Sequence, residues 1–254
     1  MSLVETTRQG PVLTITLADV EHRNVLSAPM LEELHGALDV VEASPEVRVV
    51  VLTNAGSVFS AGADLATAAV PGGAPRDLTT VLGRLQDLAV PVVGRIAGHC
   101  VAGGVGLAAA CDLAVATSRA TFGFTEVRLG LVPAMIAVVC LPKMRPADAR
   151  AAMLRGGRFE AAEAARLGLI TASADPEDLD GAIAAIVADL LAGEPGALAL
   201  TKRLVRELPA LDRETAFARA AEVSAARFAS EAAREGIAAY REKRPAAWVP
   251  PAAG

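Results

Sequence analysis

GHCVAGGVGLAAACDLAVA, residues 98–116, runs from glycines into an Ala/Leu run of helical character, then through Asp112 into a strand-like LAVA. It follows VVGRI at 92–96, which reads as a strand. Strand, glycine turn, helix and strand in that order indicate α/β layering. Upstream, VLTITL at 12–17 alternates and is rich in β-formers, whereas RVVVLT at 48–53 is a continuous apolar run suited to a strand covered on both faces. Ser27 is placed to cap a helix with Met30, Leu31, Leu34, Leu38 and Val41 on one stripe, and Leu78, Val81, Leu82, Leu85 and Leu88 mark a second. Between them, 54–64 reads as a small-residue loop and 65–76 as an Ala/Gly/Pro-rich, mobile stretch. From about residue 145 helical runs dominate, at 145–155, 160–167, 176–192, 196–207 and 212–240, with Pro195 suited to a first turn. The tail KRPAAWVPPAAG reads as irregular, and no repeat at a fixed period is present.

Composition narrows the function classes. The 254 residues are 53% hydrophobic, enough for a substantial core. No run approaches the roughly 18 uninterrupted apolar residues of a bilayer span. The start, MSLVETTRQGPVL, has no basic segment leading into an apolar one, so a signal peptide is not expected. A net charge of -5 and 3% aromatic residues argue against nucleic-acid binding. Cys100, Cys111 and Cys140 lack metal-ligand spacing and read as buried free thiols in a reducing compartment. No metal is implied.

Two segments set small residues beside a strand end: Phe59-Ser60-Ala61-Gly62-Ala63-Asp64-Leu65 and Ala102-Gly103-Gly104-Val105-Gly106-Leu107. Small residues let a ligand approach the main chain, and a helix starting there leaves N–H groups free at its positive end. That suits an oxygen about to gain negative charge. Either segment alone is more simply a tight turn. The second fits neither the common phosphate loop nor the dinucleotide fingerprint.

Together, VFSAGADL at 58–65, RIAGHCVAGGVGLAAACDLAVAT at 95–117, FGFTEVRLGLVPA at 122–134 and GGRFEAAEAARLGLI at 156–170 resemble the crotonase, or enoyl-CoA hydratase/isomerase, superfamily. The resemblance spans nearly the whole chain in order. It implies an α/β fold: a crotonase-like spiral of ββα units over 1–195, followed by a C-terminal helical trimerisation region over 196–254. It implies an acyl-CoA thioester partner, with coenzyme A part of the substrate and no separate cofactor. It also implies a homotrimer or a hexamer built as a dimer of trimers. Nucleic acid and membrane are not expected as partners, and the expected location is cytoplasmic.

By position, the resemblance assigns the thioester oxygen to the backbone N–H groups of Ala63 and Gly103. It assigns coenzyme A contacts to Arg23, Val25, Leu26, Ala61, Ala63, Asp64, Leu65 and Gly103. Lys243 is the candidate for a CoA phosphate, across a subunit boundary in some relatives. For Arg23 and Lys243 a solvated surface charge is an equal reading, and for Asp64 a turn cap is. The first catalytic carboxylate of the best-known hydratases corresponds to Gly106, which cannot titrate; the second corresponds to Glu126. Between apolar stretches, Glu126 is expected to have a raised pKa suited to acid/base work. Glycine at the first position also resembles hydratases of the methylglutaconyl-CoA type. The implied activity is therefore hydration of an enoyl-CoA. The alternatives are 3-enoyl-CoA to 2-enoyl-CoA isomerisation by one glutamate, and acyl-CoA binding without chemistry. His22, His35 and His99 read as structural or surface residues. Segment 66–76 and Met135, Ile136 and Val139 are expected to shape the acyl pocket.

Overall fold

A computed structural model describes residues 2–64 and 76–251. Among these described residues, ten strands fall into two sheets. The larger contains β1 (Val4–Gln9), β2 (Val12–Leu17), β3 (Val49–Asn54), β5 (Val92–Ile96), β7 (Leu113–Thr117) and β10 (Ala172–Ala174) in that order. The smaller contains β4 (Val58–Ser60), β6 (His99–Val101), β8 (Thr121–Gly123) and β9 (Arg158–Glu160). Successive strands alternate between the sheets: β3 and β4, β5 and β6, β7 and β8 each contribute a longer strand to one and a shorter strand to the other. Pairing is parallel except for β1 with β2 and β8 with β9.

The apolar run at 48–53 becomes β3, and all six of its residues are buried. Its alternation divides it between two cores. Val50 and Leu52 join the main core, which includes helix α1 (Ala28–Glu42) and helix α2 (Arg76–Asp87). Val49 and Val51 face a second cluster with Val93, Val115, Leu179 and Ile183. The last two belong to α7 (Leu179–Ala192), which covers the outer face. The predicted stripe of α1 is buried, and Ser27 accepts a hydrogen bond from the Met30 N–H at 3.4 Å.

Four remaining helices pack around the sheets: α3 (Gly103–Ala110), α4 (Ala134–Cys140), α5 (Pro146–Arg155) and α6 (Ala161–Arg166). The last three are α8 (Pro195–Glu207), α9 (Arg213–Phe228) and α10 (Glu231–Glu242). Neither α8 nor α9 has a buried residue, although Val205, Phe217 and Phe228 are large and apolar. A partly buried ion pair, Lys202 Nζ to Asp112 at 2.7 Å, fastens α8 to the core.

Three expectations are corrected. The stretch 54–64 is not all loop, because Val58–Ser60 forms β4 in the smaller sheet. The helical reading after 145 missed β9 and β10, three-residue strands that complete the two sheets. The run 212–240 is two helices, divided where the Ser230 side chain accepts from the Ala233 N–H and caps α10. Residues 65–75 lie outside the described chain, which leaves most of the predicted mobile stretch there. Among the described residues no single helix is long and apolar enough to cross a membrane.

Candidate active site

The first small-residue segment leaves β4 at Ser60, which is fully buried. Its hydroxyl accepts the Gly62 N–H at 3.1 Å, while the Ala61 N–H donates to Arg23 O at 3.0 Å. Gly62 has φ +89°, in the left-handed region that favours glycine. The Gly62 carbonyl accepts the Leu26 N–H at 2.8 Å. In a trans peptide the carbonyl and the following N–H point in opposite directions. Fixing Gly62 O toward Leu26 therefore aims the Ala63 N–H away from it.

The second segment obeys the same logic. Ala102 turns the chain from β6 into α3 with φ 49° and ψ -121°, a conformation costing about 1–3 kcal/mol for a residue with a Cβ. Its N–H donates to Gly123 O at 2.9 Å, tying the turn to β8. The Ala102 carbonyl accepts from Val105 N–H at 2.9 Å. The Gly103 N–H consequently points out of the helix start. Among the described residues neither the Ala63 N–H nor the Gly103 N–H has an acceptor.

The two segments touch. A Cβ added to Gly62 would lie 3.3 Å from Gly103 N and 2.8 Å from the Ala102 Cβ. One added to Gly103 would lie 3.6 Å from the Gly62 Cα and 2.8 Å from Leu26 Cδ1. Gly62 is thus held to glycine by its φ and by the Ala102 Cβ, a Cβ at Gly103 would press on the end of the Leu26 side chain, and the backbones that carry the two unpartnered amides meet here.

All eight residues of α3 are buried. Gly106 is one turn from Gly103 on the same face. A Cβ there would meet Ile136 Cγ2 at 2.5 Å and Leu82 Cδ1 at 3.5 Å. The place from which another carboxylate would project is thus filled by the side chain of α4.

Glu126 begins a 3-10 turn, Glu126–Leu129, that leads from β8 toward α4. The turn ends at Gly130 with φ +73°, and the Leu131 N–H donates to Glu126 O at 3.0 Å. The Glu126 Oε2 is buried and has no hydrogen-bond partner among the described residues. Burial pushes its pKa up, and a hydrogen bond to the Glu126 backbone opposes part of the rise. An unpartnered buried carboxylate oxygen is costly, and such groups concentrate at functional sites.

Hydrogen bonds draw Arg23, Leu26, Ala61 and the Ala63 peptide into one cluster, and Leu26 pairs with Ala63 in an isolated parallel bridge. Arg23 is exposed with φ 57°, Val25 is half-buried, and Ala61 and Asp64 are partly buried. Leu65 lies outside the described residues. Lys243 is at the exposed left-handed C-cap of α10. Among the described residues, no hydrogen bond or ion pair links it to this cluster. The histidines have local duties: His99 Nδ1 meets Thr121 Oγ1 at 3.0 Å, His22 meets Asp19 at 2.8 Å, and His35 Nδ1 meets Arg84 at 3.1 Å.

Sequence reasoning missed two supports. One is the Ser60 hydroxyl. The other is Asn24, fully buried with φ 50°, whose amide donates to Val58 O at 2.8 Å and Ala55 O at 3.3 Å. An Asn before an apolar pair is a weak signal for this left-handed position.

A family model described as enoyl-CoA hydratase/isomerase matches residues 7–250. The chain belongs to this family. It is 38% identical to a Thermus thermophilus protein provisionally named as an enoyl-CoA hydratase, over 93% of this chain and 97% of that one. It is 32% identical to enoyl-CoA hydratase EchA19 of Mycobacterium tuberculosis, over 96% and 94% of the two chains. The crystal structure of an enoyl-CoA hydratase from Mycobacterium smegmatis superposes with a TM-score of 0.90 at 32% identity, covering 97% of this chain and 98% of that one. The α/β crotonase-like fold expected from the motifs is thereby established for this chain.

Proposed function

We propose that this family member hydrates the 2,3 double bond of an enoyl-CoA thioester. The observation that carries the reading is the pair of adjacent, unpartnered amides of Ala63 and Gly103. Water addition at C3 pushes electrons through the conjugated system onto the thioester oxygen. Two N–H donors preset for that oxygen bind the resulting enolate more strongly than the neutral carbonyl. One such donor elsewhere is worth about 3 kcal/mol. Glu126 would take the proton from water and return one to C2, its unpartnered Oε2 being free to do so. Coenzyme A is part of the substrate in this scheme.

Arg23, Val25, Leu26, Ala61, Asp64 and Leu65 are proposed to hold the CoA portion. Lys243 is proposed to meet its phosphates, reaching them from a neighbouring subunit. A homotrimer, alone or paired into a hexamer, is supported by the apolar side chains that α8, α9 and α10 leave exposed, including Phe217, Phe228 and Tyr240. The region from 196 onward would form that assembly, and the cytoplasm is the proposed location.

Purified protein supplied with crotonyl-CoA and branched enoyl-CoA esters should remove the absorbance of the conjugated thioester. No loss on any ester would reject hydration. Gly106 and Ile136 favour a second reading, because an apolar surface stands where a water-holding carboxylate would. A single carboxylate suffices to move a proton from C2 to C4 of a 3-enoyl-CoA. In that case the absorbance should instead appear from a 3-enoyl ester. Tight binding without either change would mark a non-catalytic relative.

A further inference from the structure

We propose that a cavity behind the Glu126 turn binds a phosphate-bearing anion, inorganic phosphate being its simplest member. The cavity, of about 270 Å³, is lined by four guanidinium groups, Arg128, Arg155, Arg158 and Arg166, and by two carboxylates, Asp148 and Glu163. This concentration of positive charge stands out in a chain of net charge -5.

Both carboxylates are already engaged. Glu163 holds Arg166 at 2.6 and 2.7 Å, and Asp148 holds Arg145 at 2.6 Å with Arg166 at 3.5 Å. Among the described residues Arg128, Arg155 and Arg158 have no carboxylate partner. Arg155 lies in the last turn of α5, at its negative end, and Arg128 Nη2 donates to the Arg155 carbonyl there at 3.5 Å. That single long contact leaves the rest of the Arg128 fork without a partner among the described residues, and Arg158 has no such contact. Arg128 and Arg158 come from separate elements, the 3-10 turn and β9, so tertiary folding rather than a run of charges brings them to one cavity.

The site also depends on two glycines. A Cβ at Gly156, which has φ +60°, would meet Val127 Cγ2 at 2.7 Å and Arg128 Cγ at 3.1 Å. A Cβ at Gly157 would meet Arg128 Nη2 at 3.7 Å. The Arg128 side chain thus lies across a bare backbone floor that leaves the cavity open. Planar guanidinium forks pair with phosphate oxygens through paired, charge-assisted hydrogen bonds, which chloride cannot match. The anion would sit two residues along the same short turn from Glu126.

The test is calorimetric titration of the full-length protein with inorganic phosphate at constant ionic strength, so that screening does not change. Saturating coenzyme A is present to occupy the family's own phosphate contacts. Saturable binding is expected, weakened at least fivefold in the Arg128→Gln/Arg158→Gln double variant and unchanged in Arg119→Gln, an exposed control. If the double variant does not fold, Arg158→Gln alone should show a measurable part of the loss. No saturable binding in the unsubstituted protein overturns the proposal. Abolition by coenzyme A, or equal affinity in folded pocket variants, does so too.

Discussion

Gly106 and Ile136 occupy each other's space: a side chain begun at Gly106 would meet Ile136 Cγ2 at 2.5 Å. Glycine at 106 and isoleucine at 136 are therefore sterically coupled in this chain. Gly106→Glu alone should force Ile136 aside and bury a carboxylate. An overpacking cost of about 1–3 kcal/mol, before the charge is counted, is expected. Adding Ile136→Gly should recover most of the lost Tm and raise hydration above the Gly106→Glu level. Thermal unfolding and crotonyl-CoA kinetics on the single and double variants check this; no recovery in the double variant would show that the two positions act independently.

Glu126→Gln should reduce turnover at least about a hundredfold, the low end for removal of a general acid/base, while acyl-CoA binding persists. It should also raise Tm at neutral pH. The folded pKa of Glu126 lies above its unfolded value, so folding disfavours the ionised form, and the penalty is present once pH exceeds the unfolded pKa. Retained turnover contradicts the assigned role.

The same shift sets the acidic limb of the pH profile. A base with a raised pKa keeps its proton to higher pH, so kcat/KM should fall on acidification through a pKa above the ordinary glutamate range. A limb at or below that range would be inconsistent with the buried carboxylate acting as the base.

Ser60→Ala should lower kcat about fivefold with little change in KM. The hydroxyl accepts the Gly62 N–H at 3.1 Å and so fixes the Ala61–Gly62 peptide, the unit immediately before the one that carries the Ala63 donor. A hydrogen bond of this kind contributes about 1 kcal/mol, roughly a fivefold effect. Ser60→Thr, which restores the hydroxyl, should recover kcat if the methyl is accommodated. A rise in KM with kcat unchanged would indicate that Ser60 serves binding alone.

Lys202→Met should destabilise the fold by about 3 kcal/mol, the low end for breaking a buried pair whose carboxylate is partly exposed. Lys202 Nζ also donates to Leu85 O at 3.0 Å and Val90 O at 3.1 Å, joining α8 to the end of α2 and the approach to β5. Denaturant unfolding measures the loss; an unchanged midpoint would show that α8 is held by other contacts.

Legibility followed the length of each element. The α1 and α2 stripes, the Ser27 cap and the buried run of β3 were readable because several periods of hydrophobic pattern fit within them. The three-residue strands β4, β6, β8 and β9 are too short to show a period, and their pairing partners lie far away in sequence. The break at Ser230 was hidden because both flanking helices are amphipathic. Ala63 and Gly103 were reachable only through the family resemblance, since their proposed chemistry belongs to the backbone and their side chains report only smallness. Ile136 opposite Gly106 leaves no local signature, because the contact joins two helices and the sequence carries only its two ends.

Vibrational spectroscopy of the bound thioester tests the central claim most directly, because backbone donors are not removed by ordinary substitution. The thioester carbonyl of a carbon-13-labelled enoyl-CoA bound to Glu126→Gln protein should absorb at lower frequency than in water. On the proposed reading, two N–H groups fixed by the Gly62 and Ala102 turns would polarise that bond more than mobile water does. A carbonyl frequency equal to or above the solution value would contradict the pairing of Ala63 and Gly103 at the thioester oxygen.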